Sequence, residues 1–252
     1  MNASDRRSAT AQVIASLGLL VLVWTATSAV ADDPLLPSPA EVVAALFREA
    51  RQGELFGNLG VTLLRVGSSF VLAMAAGSGI GLALGRIAIL DRWMRPWLIV
   101  LLNIPALVVV ILAYVWLGLG ETALLVAVAV NKIPNVAMTV REGARALDRD
   151  YAEVAAVYRL GSWTRLRHVV APQLAPYLLA AARNGLALIW KIVLVVELLG
   201  RSNGVGFQLH TSFQMFDVAS IFAYSAAFIV CMLAMEATIL VPIERRVIRW
   251  RR

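Results

Sequence analysis

The sequence predicts an all-α, polytopic membrane protein with six transmembrane helices, organised as a single domain over residues 1–252. Three observations carry this prediction. Hydrophobic residues make up 60% of the chain and charged residues only 15%, with a mean hydropathy of +0.77, a balance wrong for a soluble globule. Apolar runs long enough to cross a hydrocarbon core of about 30 Å, which takes about 20 helical residues, recur six times. The arginines are also unevenly divided among the connections between those runs. One set holds 16, namely Arg6, Arg7, Arg86, Arg92, Arg95, Arg141, Arg145, Arg149, Arg159, Arg165, Arg167, Arg245, Arg246, Arg249, Arg251 and Arg252, and the other holds 3, Arg48, Arg51 and Arg201. Basic residues accumulate on the cytoplasmic side, so both termini are expected there, in a multi-pass protein of the plasma membrane.

The first span is expected over Gln12 to Ala31. Arg6 and Arg7, the apolar stretch and Ala29-Val30-Ala31 imitate a signal peptide, but an apolar region of about 19 residues exceeds the 7 to 15 of a signal core, which favours a retained helix. Residues 32–58 then form an outer (periplasmic) segment. Its Asp32-Asp33-Pro34-Leu35-Leu36-Pro37-Ser38-Pro39 is extended, and Ser38 or Pro39 opens a short helix to Gln52 with Val42, Val43, Leu46 and Phe47 on one face.

The second span, Leu59 to Leu84, carries Gly77 and Gly81 with Gly85 just beyond it, a small-residue stripe that lets a neighbouring helix approach closely. A phosphate-cradling reading of these glycines fails because no strand precedes them. The third span, Trp97 to Leu117, contains Asn103-Ile104-Pro105, and the fourth, Thr122 to Val140, contains Asn131-Lys132-Ile133-Pro134-Asn135. Proline removes a backbone donor, so both are expected to bend. The fifth span, Pro176 to Gly200, is followed by an outer (periplasmic) loop, 201–218, and the sixth covers Ala219 to Val241.

Only two basic residues are lysines, Lys132 and Lys191, and both fall inside spans. A charge at membrane depth is expensive, so it faces a cavity or a partner. On the fifth span Arg183, Trp190 and Glu197 align, with Asn184 and Lys191 about 80 to 100° away at about 100° per residue. Two readings stand: a wet translocation path lined by Lys132, Arg183, Asn184, Trp190, Lys191 and Glu197, able to meet an anion, or a buried charge pair of Lys191 or Arg65 with Glu197. Cys231 is the only cysteine, and His168 and His210 both lie outside the spans. These residues supply neither a metal cluster nor a paired nucleophile and base. The basic connections lack the stacking aromatics of a nucleic-acid groove, so no nucleic acid is expected.

Residues 141–175 form the longest cytoplasmic connection. Asp148 or Asp150 can cap a helix whose first turn holds Glu153, and Trp163, Leu166 and Val169 or Val170 mark a short following helix expected to stop at Pro172. Two short helices with an apolar face suit docking into a cleft.

This segment resembles the Glu-Ala-Ala loop of ABC importer permeases. Registered on Pro172, Glu153 takes the motif glutamate, Ala155 its second alanine, Trp163 a tryptophan common in one branch and Val169 the branched position. Val154, Ala171 and Arg159 depart from the pattern. Arg159 stands where the family keeps glycine, with Gly161 two residues later. Leu36-Pro37-Ser38-Pro39, Thr62-Leu63-Leu64-Arg65-Val66, Asn103-Ile104-Pro105, Trp116-Leu117-Gly118-Leu119-Gly120-Glu121, Glu197-Leu198-Leu199 and Gly204-Val205-Gly206 are similar to the branch importing nitrate, sulfonates, taurine and bicarbonate.

The resemblance implies a type I ABC importer permease, a non-catalytic subunit of the bacterial inner membrane. Glu153, Ala155, Arg159, Gly161, Trp163 and Pro172 would form its ATPase-coupling loop. Its implied partners are two ATPase subunits that bind ATP and Mg, a second permease copy or paralogue, an external substrate-binding protein and membrane lipid. The chain has no Gly-x-x-x-x-Gly-Lys-Ser/Thr loop of its own. The solute implied is small and anionic. A stand-alone secondary transporter or channel is the alternative, which inverted repeats or proton-relay carboxylates would favour.

Overall fold

A computed structural model describes residues 3–31 and 33–248. Asp32 and the tail residues Arg249, Arg251 and Arg252, which enter the sequence reading, lie outside that range. The described residues are helical with short connections. The order is α1 (Ala3–Ala31), α2 (Pro39–Gln52), α3 (Glu54–Arg86), α4 (Ala88–Asn103), α5 (Ala106–Leu117), α6 (Glu121–Arg145), α7 (Arg149–Val157), α8 (Ser162–Arg165), α9 (Ala171–Gly200), α10 (Val205–Gln214), α11 (Val218–Met235) and α12 (Val241–Ile248).

Four continuous helical segments are long and apolar enough to cross a membrane: Glu54–Arg86, Glu121–Arg145, Ser162–Gly200 and Val218–Arg246. The third expected span is not one helix. Its residues belong to α4 and α5, which meet at 96°. The reason is local: Ile104 precedes a proline, whose ring disfavours helical geometry in the residue before it, and Ile104 is extended (φ −75°, ψ 126°). α6 shows the opposite outcome, since it remains a single helix through the buried Pro134. The first expected span lies within α1, in which Ala15–Ala31 is an apolar helical stretch.

α3, α6 and α9 make the centre. Val66, Ala73, Leu124, Ala127, Val128, Ile189, Val193 and Val196 are buried between them, joined by Tyr224 and Phe228 from α11. The helices close tightly where side chains are absent. A Cβ on Gly77 would lie 2.6 Å from the Val136 Cβ, and one on Gly81 would lie 2.5 Å from the Ala137 carbonyl oxygen. One on Gly85 would collide with Ala144. Such approach is how helices associate where lipid removes the usual hydrophobic drive.

On the flank, α2 starts at Ser38, whose hydroxyl accepts from the Glu41 N–H (3.3 Å) while the Glu41 carboxylate accepts from the Ser38 N–H (2.7 Å). This reciprocal cap satisfies helix-start donors. The expected apolar face of α2 is split: Val42 and Ala45 are buried against Ala223 of α11, with Leu46 packed beside them, while Val43 and Phe47 are exposed because α2 is covered on one side only. α1 is held by the Trp24 indole N–H donating to the Pro37 carbonyl (2.9 Å) and by Trp24 packing on Phe222.

Candidate functional site

Two polar regions stand at opposite ends of α9. At its C-terminal end, Glu197 is 0% exposed yet fully partnered. Its carboxylate accepts from the Arg65 guanidinium (2.8 Å), the Thr62 hydroxyl (2.9 Å) and the Gly206 N–H (2.9 Å). Arg65 extends the cluster, donating to the Asn203 carbonyl (2.9 Å), the Asn203 side chain (2.6 Å) and the Glu121 carboxylate (2.5 Å). Arg201 reaches the same Glu121 oxygen at 2.6 Å. The Thr62 hydroxyl accepts from the Val205 N–H (2.8 Å), and the Asn58 side-chain oxygen from the Gly204 N–H (2.7 Å).

Glycine is required twice here. Gly204 takes φ +105°, and a Cβ there would sit 2.5 Å from the Glu197 carboxylate. A Cβ on Gly206 would meet the Leu194 carbonyl. The loop after α9 is therefore stitched to α3 around the buried Glu197, where breaking one partner costs far more than an exposed pair would, and to α6 through the half-exposed Glu121.

The other residues proposed from sequence on α9 do not join this cluster. Arg183 is exposed and pairs with Glu236 (3.3 Å) and Glu244 (3.5 Å). With Asn184 it lines two adjoining cavities of about 320 and 350 Å³ against Leu240. Trp190 packs against Phe228 with ring centroids 5.7 Å apart and planes tilted by 55°. Lys191 is exposed, its ammonium 5.4 Å from the Trp190 ring, and it makes no contact with Glu197. Glu197 is thus paired with Arg65 and not with Lys191. Lys132, on α6, is 6% exposed and has no hydrogen-bond or ion-pair partner among the described residues.

At the other end, α7 begins on Asp148, whose side chain accepts from the Asp150 N–H (2.9 Å), while the Asp148 N–H donates to the Gln173 side chain (3.0 Å). Glu153 is exposed on α7 and Ala155 is buried beneath it. The turn that follows is made by Arg159 itself, at φ +49°, the left-handed region that glycine favours. Gly161, at φ −58°, precedes α8 instead. Tyr151, Val154, Val157, Tyr158 and Trp163 are between 52% and 79% exposed, a concentration of apolar and aromatic side chains turned to the outside between Tyr151 and Trp163.

Pro172 does not end the helix begun at Ser162. Leu166–Val170 form a π turn in which the Ala171 N–H donates to the Leu166 carbonyl, five residues back. This wider turn carries the chain past the residue that lacks a donor, and α8, the π turn and α9 run as one continuous helix from Ser162 to Gly200. Its start is anchored by Val170 and Leu174 packed on Ala144, and by Gly143, where a Cβ would meet the Tyr177 ring at 2.5 Å.

Sequence reasoning named Arg65 and Glu197 but missed Asn58, Thr62, Glu121, Arg201 and Asn203 as one cluster. Their signal is positional: each lies at or near the same end of a span, so their side chains share a depth.

The chain is similar over nearly its whole length to known permeases. It is 31% identical to the riboflavin transport system permease protein RibX of Chloroflexus aurantiacus, covering 93% of this chain and 88% of that one. It is 25% identical to the taurine transport system permease protein TauC of Escherichia coli, covering 95% and 90%. A chain from an inward-facing structure of the MetNI methionine ABC transporter superposes with a TM-score of 0.66 at 18% identity, covering 77% of this chain and 95% of that one. Residues 70–241 match the model of the binding-protein-dependent transport system inner membrane component. That range includes the Glu153–Pro172 segment together with Glu121, Glu197 and Gly206, while Asn58, Thr62 and Arg65 of the cluster precede it, and the chain belongs to that family.

Proposed function

We propose that the chain forms the translocation path of an ATP-driven importer for a small anionic solute such as a sulfonate, taurine or nitrate, delivered by an external binding protein. Two ATPase subunits carry ATP and Mg, and a second permease copy or paralogue completes the path. Residues 141–175 and both termini face the cytoplasm; 32–58 and 201–218 face the periplasm. The observation that carries this reading is the unbroken helix from Ser162 to Gly200, about 58 Å long at about 1.5 Å per residue. It joins the exposed Trp163 surface directly to Glu197 and the outer cluster.

In this mechanism the ATPase surface seats Tyr151, Val154, Val157, Tyr158 and Trp163, and Glu153 orients the contact. ATP-driven closure moves α7 and the Ser162–Gly200 helix as one lever. The Arg65–Glu197–Glu121 cluster holds the outer end in one state and must yield in the other, so the two global states differ at both ends of the same helix. Lys132 and Lys191 supply positive charge along the path, while Arg183 and Asn184 border the cavities beside it. Selection among solutes rests with the binding protein. The permease performs no covalent chemistry.

The test is uptake into proteoliposomes containing the chain and its ATPase. Accumulation of labelled taurine or nitrate that requires both ATP and the binding protein is expected. Uptake driven by an ion gradient without the ATPase would establish the secondary-transporter reading instead.

A further inference from the structure

We propose that the chain binds an anionic phospholipid at the cavity where α4 meets the end of α6, holding the headgroup phosphate between arginines and an acyl chain along α4. The cavity, of about 720 Å³, is lined by Asp91, Arg92, Arg95 and Arg145, and by Pro96, Ile99 and Val100. Asp91 is already engaged: its carboxylate pairs with the buried Arg141. Arg92, Arg95 and Arg145 make no ion pair or side-chain hydrogen bond with a described residue, so three guanidinium groups face a single carboxylate, Asp91, around one concave space. Planar guanidinium forks match phosphate oxygens, and basic pockets between membrane helices suit anionic headgroups.

The layout along α4 decides in favour of a lipid over a soluble anion. Its first turns carry the charges and the later turns expose Ile99, Val100 and Leu102. Trp93, among the charges, and Trp97, between them and the apolar turns, are both 71% exposed and one turn apart, in the arrangement tryptophan takes at a membrane–water boundary. A free phosphate would use only the arginines; a phospholipid uses the arginines and the apolar flank together.

The proposal is tested by native mass spectrometry of the purified full chain, titrated with phosphatidylglycerol or with phosphatidylcholine of the same acyl chains. The expected result is selective retention of phosphatidylglycerol, falling about fivefold for each guanidinium removed. It should drop to the phosphatidylcholine level in Arg92→Gln/Arg95→Gln/Arg145→Gln and stay unchanged in the control Arg245→Gln/Arg246→Gln. Arg145→Gln alone, at an exposed position, reads the fivefold step should the triple variant fail to fold. Equal retention by wild type and variants, equal retention of the two lipids, or displacement of phosphatidylglycerol by millimolar inorganic phosphate would overturn it. So would loss of ATPase copurification in the triple variant with lipid retention intact, which would assign the arginines to the protein partner.

Discussion

Arg65 of α3 donates to Glu197 of α9 at 2.8 Å and, through its other nitrogen, to Glu121 of α6 at 2.5 Å, so one guanidinium ties three membrane helices at their common end. Glu197 in turn accepts from the Gly206 N–H, bringing the following loop into the same knot. Removing Glu197 leaves the buried Arg65 with only the half-exposed Glu121 as counter-charge and takes the acceptor from the Thr62 hydroxyl and the Gly206 N–H. Glu197→Ala is expected to destabilise the chain by about 3 kcal/mol, read as a lowered denaturation midpoint in detergent. Glu197→Gln, which keeps an acceptor for the Gly206 N–H, should lose less.

The α3–α6 crossing rests on absent side chains. Gly81→Leu would drive its side chain into the Ala137 carbonyl and Val140, a backbone neighbour that cannot swing away. The expected cost is about 3 kcal/mol, seen as poor recovery of folded protein, whereas Gly79→Ala, with open space around it, should leave recovery unchanged.

Arg159 occupies left-handed backbone at a cost of about 1 kcal/mol. Arg159→Gly should preserve the α7–α8 turn and ATP-coupled uptake, and Arg159→Val, whose branched side chain resists that conformation, should lower uptake several-fold. The pair of variants is read by transport at equal membrane abundance.

Lys132 is buried with no partner among the described residues, so removing its charge should relieve a desolvation cost. Lys132→Met is expected to raise the denaturation midpoint while reducing uptake of an anionic solute. Lys191→Ala, at an exposed site, should change uptake with assembly intact. Uptake unchanged in both variants would remove the two lysines from the path.

Much of this architecture was legible in the sequence because membranes impose a coarse, one-dimensional code: apolar length gives spans, and arginine bias gives expected sides. The helix start at Ser38 and the cap at Asp148 were readable because their chemistry is local. What was not legible depends on neighbours. Pro105 breaks its span whereas Pro134 and Pro172 do not, since a helix survives a missing donor when packing or a π turn reroutes the adjoining bonds. The motif register put Arg159 at the glycine position, and its positive φ shows that the turn stays there without moving to Gly161. Lys191 and Arg65 both stood as partners for Glu197, because spacing fixes an angle on one helix and not the identity of the facing residue. Arg65 lies 132 residues from Glu197 and claims it.

The central claim is that the exposed surface on α7 and α8 couples this chain to an ATPase, and it is tested most directly by copurification. Wild-type permease and the Glu153→Lys and Trp163→Ala variants would be isolated through a tag on the ATPase, with uptake measured on the same preparations. The account predicts at least about a tenfold loss of recovered permease, about 1.4 kcal/mol of docking energy, with normal membrane insertion and uncoupled uptake. Recovery and uptake equal to wild type in both variants would contradict it.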